Sequence, residues 1–576
     1  MTQARGPSRR DFLAGLGAAA AGWALLGGRR ADAAGGGGTG GSGGRDGSGV
    51  GPRPDPADGP ILSLSSLGES VAFGGIPFSA GWWGDWFGPS NLPFHSCEDC
   101  DRLPEPDEQV DVAIVGGGLS GLATAYHLRE RNPVLFELRR RMGGNASGER
   151  WRGIPYSLGS AYFMVPDRGD DFDRLYAELG VYEDARIDTA ATTYEYGGRI
   201  MQALCDGCTP AEQAAVEAYL AEVQRRAFSA YPDIPFPEGD PRILELDARS
   251  FHDDVRKVCG GSVPAMLART LQAYCYSSLG VGWDELSAAA AWNFVAAEEY
   301  GRIVLPGGNA SLAERLWQRL RGGGEGGTAA GATLRAGATV VRVETRGRGA
   351  VVWWRTPAGQ LRGTLANHVV MAGSKHVVKH VLPQLASLDS AKLEAMNAAP
   401  TVAYLVANVL LRRPARDPWY DVFLLHDAAF PMDGGAFSND RRIVDAVGGT
   451  WAHPSRGAAG DVLTCYWPLP WHHARFTIVG DLDWQTYAEI AAPQVARMVE
   501  LFGLAPQDVE QVRLARWGHA MPYAVPGAYA SGICERLRRP LEGRIWFANQ
   551  DNWLLPAVET CLGEARQVAH DILASL

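Results

Sequence analysis

Gly116, Gly118 and Gly121 follow a short apolar run, Val112 to Val115, and lead into a stretch of small residues. Each glycine does something a side chain would prevent. Gly116 permits a tight turn, Gly118 lets the backbone approach a bound group, and Gly121 lets helix and strand pack closely. A helix opening here, with Ser120 in its first turn, points free N–H groups and the positive end of its dipole at that group. A pyrophosphate is the ligand such a turn suits. About twenty residues on, a second apolar run from Pro133 ends in Glu137, placed to accept ribose hydroxyls. Strand, glycine turn, helix, strand and acid together specify a dinucleotide site on a Rossmann-like unit.

Glu137 is followed by Arg139, Arg140, Arg141, Met142, Gly143, Gly144 and Asn145. A nicotinamide site needs no basic run closing on a Gly-Gly pair. An extended flavin dinucleotide passes its pyrophosphate and ribityl chain over such a turn. At this point the chain resembles the flavin-containing amine oxidase family, which includes monoamine and polyamine oxidases, spermidine dehydrogenase and the phytoene desaturases. The family's acid, two arginines and Gly-Gly pair fall on Glu137, Arg139, Arg141, Gly143 and Gly144, while Asn145 stands where a further arginine is usual. Leu158 to Tyr162, with Gly159, Ser160 and Tyr162, resembles the loop under the isoalloxazine ring. Leu305 to Ala313 resembles a glycine turn that starts a helix, and Ala338 to Val343 the strand whose backbone, at Val340, meets the adenine. Gly543 to Asp551 and the helix through Gly563 are similar to the closing flavin segment, which assigns Asp551 and Val558 to the cofactor. Asn549 replaces a glycine there.

The resemblance implies an α/β fold: a Rossmann-like FAD-binding domain of amine oxidase type (108–165, 300–400 and 536–576), interleaved with an α+β substrate domain (166–299 and 401–535). It also implies noncovalent FAD, because Ala528 stands where covalent relatives carry a cysteine. Within these bounds, Thr209 as N-cap and Pro210 at the first helical position predict a helix to about Tyr231. Further helices are expected over 262–276 and 285–300. Antiparallel strands are expected from Val340 to Ala372, with turns at 346–349 and 357–359.

An amine or a saturated C–C bond is oxidised by moving a hydride equivalent to flavin N5 across about 3–3.5 Å. The protein need only position the substrate and keep the pocket dry. Many family oxidases use a lysine to hold a water against N5. The four lysines here are Lys257, Lys375, Lys379 and Lys392, and the corresponding strand, near Thr401 to Leu411, has none. A dehydrogenase is therefore expected rather than an oxidase, its electron acceptor unidentified. Trp467 and Trp471 lie in an aromatic-dense stretch that suits an amine, or else form a core strand and turn. The adjacent His472 and His473 read as structural. Trp517 and His519 resemble a family element that reaches the ring. Glu298 and Glu299 could bind a distal ammonium, but a solvated helix end is the simpler reading. The expected function is oxidation of an amine, with a polyamine as one candidate. An isoprenoid or carotenoid desaturase or isomerase is the first alternative, and a non-catalytic flavin-fold binding protein the second.

Ser8-Arg9-Arg10-Asp11-Phe12-Leu13 is a twin-arginine pattern before an apolar stretch to Leu26, with Ala31 to Ala33 as cleavage site. It predicts a signal peptide (1–33) and a periplasmic or extracellular destination, with a membrane tie only through an uncleaved signal. Residues 34–60 form a Gly-rich linker too polar to order, reaching roughly 30 Å. An aromatic-rich arm (61–107) follows, expected to wrap on the body rather than cap the site. Net charge is −11 without a basic block beyond Arg139 to Arg141, which argues against nucleic acid and mildly favours cationic small molecules. Of nine cysteines, Cys97 with Cys100 and Cys205 with Cys208 stand as two pairs. Two such pairs suit a zinc site; an oxidising compartment favours disulfides and no metal. Either would pin the arm to the body.

Overall fold

The computed structural model describes residues 59–576 apart from 86–101, 191, 203, 206–207, 229–235, 237–238, 322–330, 416–418, 426–439 and 454–459. The signal segment, most of the linker, Cys97 and Cys100 lie outside the described residues.

Val112, Ala113 and Ile114 are fully buried on both faces of the strand Glu108–Val115, as a central parallel strand requires. It pairs in parallel with Val134–Glu137 on one side and Leu361–Met371 on the other. The seven-stranded sheet is completed by Thr333–Ala336, Gly349–Arg355, Thr339–Arg346 and Ile545–Phe547. The antiparallel meander turns where expected, at 346–349 and 355–361. The helices Leu119–His127 and Val558–Ser575 pack on this sheet through small and aliphatic side chains, among them Ala123, Leu562 and Ala565.

A second, ten-stranded sheet is built around Thr401–Leu411, with Asp461–Leu469 and Val509–Pro522 antiparallel on its two sides. One face packs Tyr404, Val406 and Tyr466 against Trp151, Ile154 and Tyr156 of the hairpin formed by Gly148–Trp151 and Ile154–Ser157. The other buries Trp467, Leu405 and Leu463 against the helix Asp483–Leu501. The helices Pro210–Phe228, Ala265–Leu279 and Ala288–Glu298 flank the far end. Thr209 caps the first of them: its hydroxyl accepts from the Glu212 amide at 3.3 Å while Glu212 reaches back to the Thr209 amide at 2.9 Å.

The described part of the arm is a wrap. The hairpin Ser70–Phe73 and Ile76–Ser79 extends the ten-stranded sheet beside Val509–Pro522, and Trp83–Gly84 pairs with the same strand. Cys205 and Cys208 are joined to each other in a disulfide. That pairing is the disulfide favoured for this spacing and removes the two-knuckle zinc arrangement, but it ties nothing to the arm, a correction to the expectation that it would. The arm is held instead by backbone pairing and by Trp83, whose ring lies 3.8 Å from the Arg513 guanidinium.

Arg513 is the pin between the halves. It donates to Glu149 at 2.7 and 2.9 Å, and Tyr156 donates to the same carboxylate at 2.6 Å, with both ends of the ion pair fully buried. Removing one partner strands a buried charge. Glu149→Leu is expected to lower stability by about 3–5 kcal/mol, and Arg513→Met added to it to recover much of the loss. Thermal and denaturant melts of the two variants check this; a single variant within about 1 kcal/mol of the parent would show the pair to be dispensable.

Candidate active site

The glycine turn leaves the end of Glu108–Val115 with Gly116 at φ +113°, its amide donating to Phe136 O at 2.8 Å. A Cβ on Gly121 would stand 1.8 Å from Gly116 O, so helix and turn are in backbone contact. Gly118 differs: a Cβ there would meet only Gly144 Cα at 3.7 Å. The fold itself leaves room for alanine at that position, and glycine keeps the approach to the helix start open. No side chain caps that helix. The helix Val558–Ser575 likewise begins without a side-chain cap, at Ala557. Both starts open on one cavity of about 320 Å³. Two uncapped helix N-termini beside a glycine cradle fit a pyrophosphate.

Gly116, Gly118, Ser120, Glu137, Gly143, Gly144, Gly159, Ser160, Tyr162, Trp517, His519, Asp551 and Val558 all line this cavity. Glu137 accepts from the amides of Gly117 at 2.6 Å and Arg139 at 2.8 Å, which fixes its carboxylate at the cavity wall. Asp551 accepts from the Lys375 amide at 2.8 Å and from Ser374 Oγ at 3.1 Å. Asn549, in the usual glycine position, bonds Gly373 O at 2.8 Å and receives the buried Lys375 ammonium. Burial pushes that ammonium down to about 8.

Other expected residues lie off the wall. Arg139 sits 5.4 Å from the Trp517 ring, and Arg141 donates to Gly148 O at 2.8 Å, bracing the Gly-Gly turn from behind. Val340 packs in the core opposite Trp354. It is Ala338, two residues earlier, whose amide meets Glu137 O at 2.8 Å. Trp467 and Trp471 are corrections. Strand alternation turns Trp467 away from the cavity onto Tyr487, with ring centroids 5.4 Å apart, while its neighbour Tyr466 faces inward. Trp471 follows the end of that strand and packs at the edge of the core near Arg441.

The inward face of the ten-stranded sheet supplies Tyr404, Tyr466 and Trp517. Tyr466 donates to Gly159 O at 3.1 Å and Trp517 to Leu158 O at 2.9 Å, clamping the loop against the sheet. Tyr404 stands edge-on to Tyr466 at 6.0 Å and donates to Ser277 O at 2.9 Å. His519 stacks on His376 at 4.8 Å, and burial with that neighbour drives its imidazole down to about 3. It is neutral at physiological pH.

Behind Tyr162, Tyr404 and Ser277 lies a cluster of acids of which Glu298 alone stood out in the sequence. Arg302 pairs with Asp188 and Asp421. Asp445 accepts from Ser277 Oγ at 2.7 Å, and burial together with Asp421 pushes its carboxyl well up. Glu298 accepts from Tyr162 Oη at 2.9 Å, and burial, opposed by Arg302, raises it to about 7. The solvated-helix-end reading therefore fails for Glu298 and holds for Glu299, which is exposed. The placing of Asp421 on one strand face with Phe423, and of Asp445 with Val447, was the available signal, but which side of the sheet that face served depends on pairing across it.

A mixed nucleotide-binding sheet with a parallel centre, a glycine cradle at two helix starts and an aromatic-walled cavity define a dinucleotide-dependent oxidoreductase of the FAD-binding type. The flavin-containing amine oxidoreductase model matches residues 119–573, and the chain belongs to that family. Among curated proteins it is 22% identical over 544 residues to oxidoreductase PigB of Serratia sp., covering 84% of this chain and 78% of that protein. It is 27% identical over 484 residues to coproporphyrinogen III oxidase of Mycobacterium bovis, covering 80% and 97%. A solved structure of wild-type putrescine oxidase bound to putrescine shares the fold, with TM-score 0.58, 16% identity and coverage of 81% and 99%.

Gly118→Ala tests the cradle. The added methyl has room in the protein alone but enters the pyrophosphate path, so FAD affinity is expected to fall tenfold or more, about 1.4 kcal/mol, with the melting point of the flavin-free protein unchanged. Flavin titration and melts check it; undiminished FAD binding would place the pyrophosphate elsewhere.

Proposed function

We propose that this protein oxidises an amine by hydride transfer to noncovalently held FAD and passes the electrons to an acceptor other than oxygen. One observation carries the substrate class. Four carboxyl groups, Asp188, Glu298, Asp421 and Asp445, stand around the single guanidinium of Arg302 behind the tyrosine wall of the cavity. Such an excess of buried acid favours a cation at that end, and tyrosine faces suit an ammonium. A polyene gains nothing from it, and the carboxylates of a porphyrinogen would be repelled. FAD, when bound, supplies the two-electron acceptor. The protein's part is orientation by Tyr404, Tyr466 and Trp517 and exclusion of water.

The dehydrogenase assignment is supported by the cavity wall, which among the described residues includes no lysine. Noncovalent attachment is supported by Ala528, which is buried off the cavity wall, and by Cys561, which lines it beside Ser120 at the helix start rather than at the aromatic end. Export through the twin-arginine route completes the proposal, on the strength of Arg9 and Arg10.

Anaerobic titration of the purified yellow protein with amines, polyamines, polyprenes and porphyrinogens is the deciding experiment. An amine is expected to bleach the flavin, and the reduced protein to reoxidise faster with an artificial acceptor than with oxygen. Bleaching by a polyprene or porphyrinogen and by no amine would overturn the reading; bleaching by nothing would leave a binding protein. Acid precipitation is expected to release free FAD, and flavin kept in the pellet would refute noncovalent attachment. Replacing Arg9 and Arg10 by lysine is expected to hold the protein in the cytoplasmic fraction.

A further inference from the structure

Oxidising a primary ammonium to an iminium removes a hydride from carbon and a proton from nitrogen. The hydride has its acceptor in the flavin; the proton needs another. His519 is a poor one, since its buried imidazole binds a proton only in strong acid. From the geometry we infer that Tyr162 and Glu298 form the route by which this proton leaves the cavity. The inference rests on the amine reading above.

Tyr162 lines the cavity, its hydroxyl donating to Glu298 Oε1 at 2.9 Å and lying 3.5 Å from Oγ of Ser278, which also lines it. Glu298 is the last residue of the helix Ala288–Glu298. The next residue, Glu299, is exposed and accepts from Gln224 on the helix Pro210–Phe228. Glu298 is itself only part-buried, so the chain of groups runs from the cavity wall to a carboxyl that solvent reaches. A proton on the substrate nitrogen passes to Tyr162 Oη as the hydroxyl's own proton passes to Glu298 Oε1. The N–H bonding pair stays on nitrogen and forms the C=N bond as the C–H pair departs as hydride. Tyr162 is neutral before and after, Glu298 changes from anion to acid, and solvent reaching the part-buried Glu298 takes the proton away. Tyr162 suits a relay rather than a phenolate base, because burial pushes its hydroxyl far up.

Glu298 is faced by Tyr162, by Tyr274 from the helix Ala265–Leu279, by Arg302, by Asp421 and by Tyr219. Burial raises its carboxyl, Asp421 adds to the rise, and Arg302 and the Tyr162 hydroxyl hold it near 7. That is where a group alternately taking and releasing a proton at neutral pH is most effective. Only the anion accepts, so the rate of flavin reduction rises with pH through about 7 and then levels.

The test uses the FAD-loaded full chain. In anaerobic rapid mixing with a bleaching amine, Glu298→Gln is expected to slow reduction by about ten- to a hundredfold at the plateau and to remove the inflexion near 7. Tyr162→Phe is expected to do the same. A second inflexion owed to the amine's own ammonium stays in all three proteins and moves when the amine is changed. Independently of turnover, infrared difference spectra of wild-type protein carrying labelled glutamate are expected to show a protonated carboxyl that fades through the same pH range; this needs no substitution to fold. Absence of such a titration, or a Glu298→Gln protein that keeps both rate and inflexion, overturns the relay while leaving the amine reading standing. A titrating glutamate in a protein whose flavin no amine bleaches overturns the amine reading, and the relay's role with it.

Discussion

The site depends on two glycine turns that touch through their backbones. The Gly143 amide donates to Gly117 O at 2.8 Å, Gly118 and Gly143 form a parallel bridge, and a Cβ on Gly144 would stand 2.8 Å from Gly118 Cα. A side chain on Gly144 has no room there. This contact sets the Gly-Gly turn, and with it the strand Gly148–Trp151, against the start of the helix Leu119–His127. That helix in turn packs along Val558–Ser575, whose own uncapped start is thereby brought to the same cavity. Parts of the chain far apart in sequence converge on one ligand because two short segments lack Cβ atoms.

The second half is organised by buried charge rather than by glycine. Glu149 with Arg513, and Arg302 with Asp188 and Asp421, are enclosed ion pairs whose geometry offsets a large desolvation penalty. The first is electrically closed and serves as a strut. The second carries more acid than base, and the surplus shows in the upward displacement of Asp445 and Glu298 by burial. A strut and a site thus differ by charge balance, not by depth.

Most of the nucleotide half was legible in the chain because its determinants are local. Turn, helix start and terminal acid lie within about thirty residues and each has a steric reason. The antiparallel meander announced itself through its turns, and the helix from Pro210 through its cap. The substrate half was harder to read for the opposite reason. Whether Tyr466 or Trp467 faces the ligand is a matter of one residue of register, decided by pairing with Thr401–Leu411. Glu298 is distinguished from Glu299 by Tyr162, Arg302 and Asp421, which come from three other strands. The cysteine spacing allowed metal or disulfide alike, and the link between Cys205 and Cys208 stays within its own short loop.

Strand alternation divides the ten-stranded sheet between two masters. Tyr404, Val406 and Tyr466 answer to the ligand, while Leu405, Ala407 and Trp467 answer to the helix Asp483–Leu501. The inner register bears load as well: Tyr404, Val406 and Tyr466 share a buried cluster with Trp151, Ile154 and Tyr156, so what is recognised and how the loop at Gly159 is seated change together.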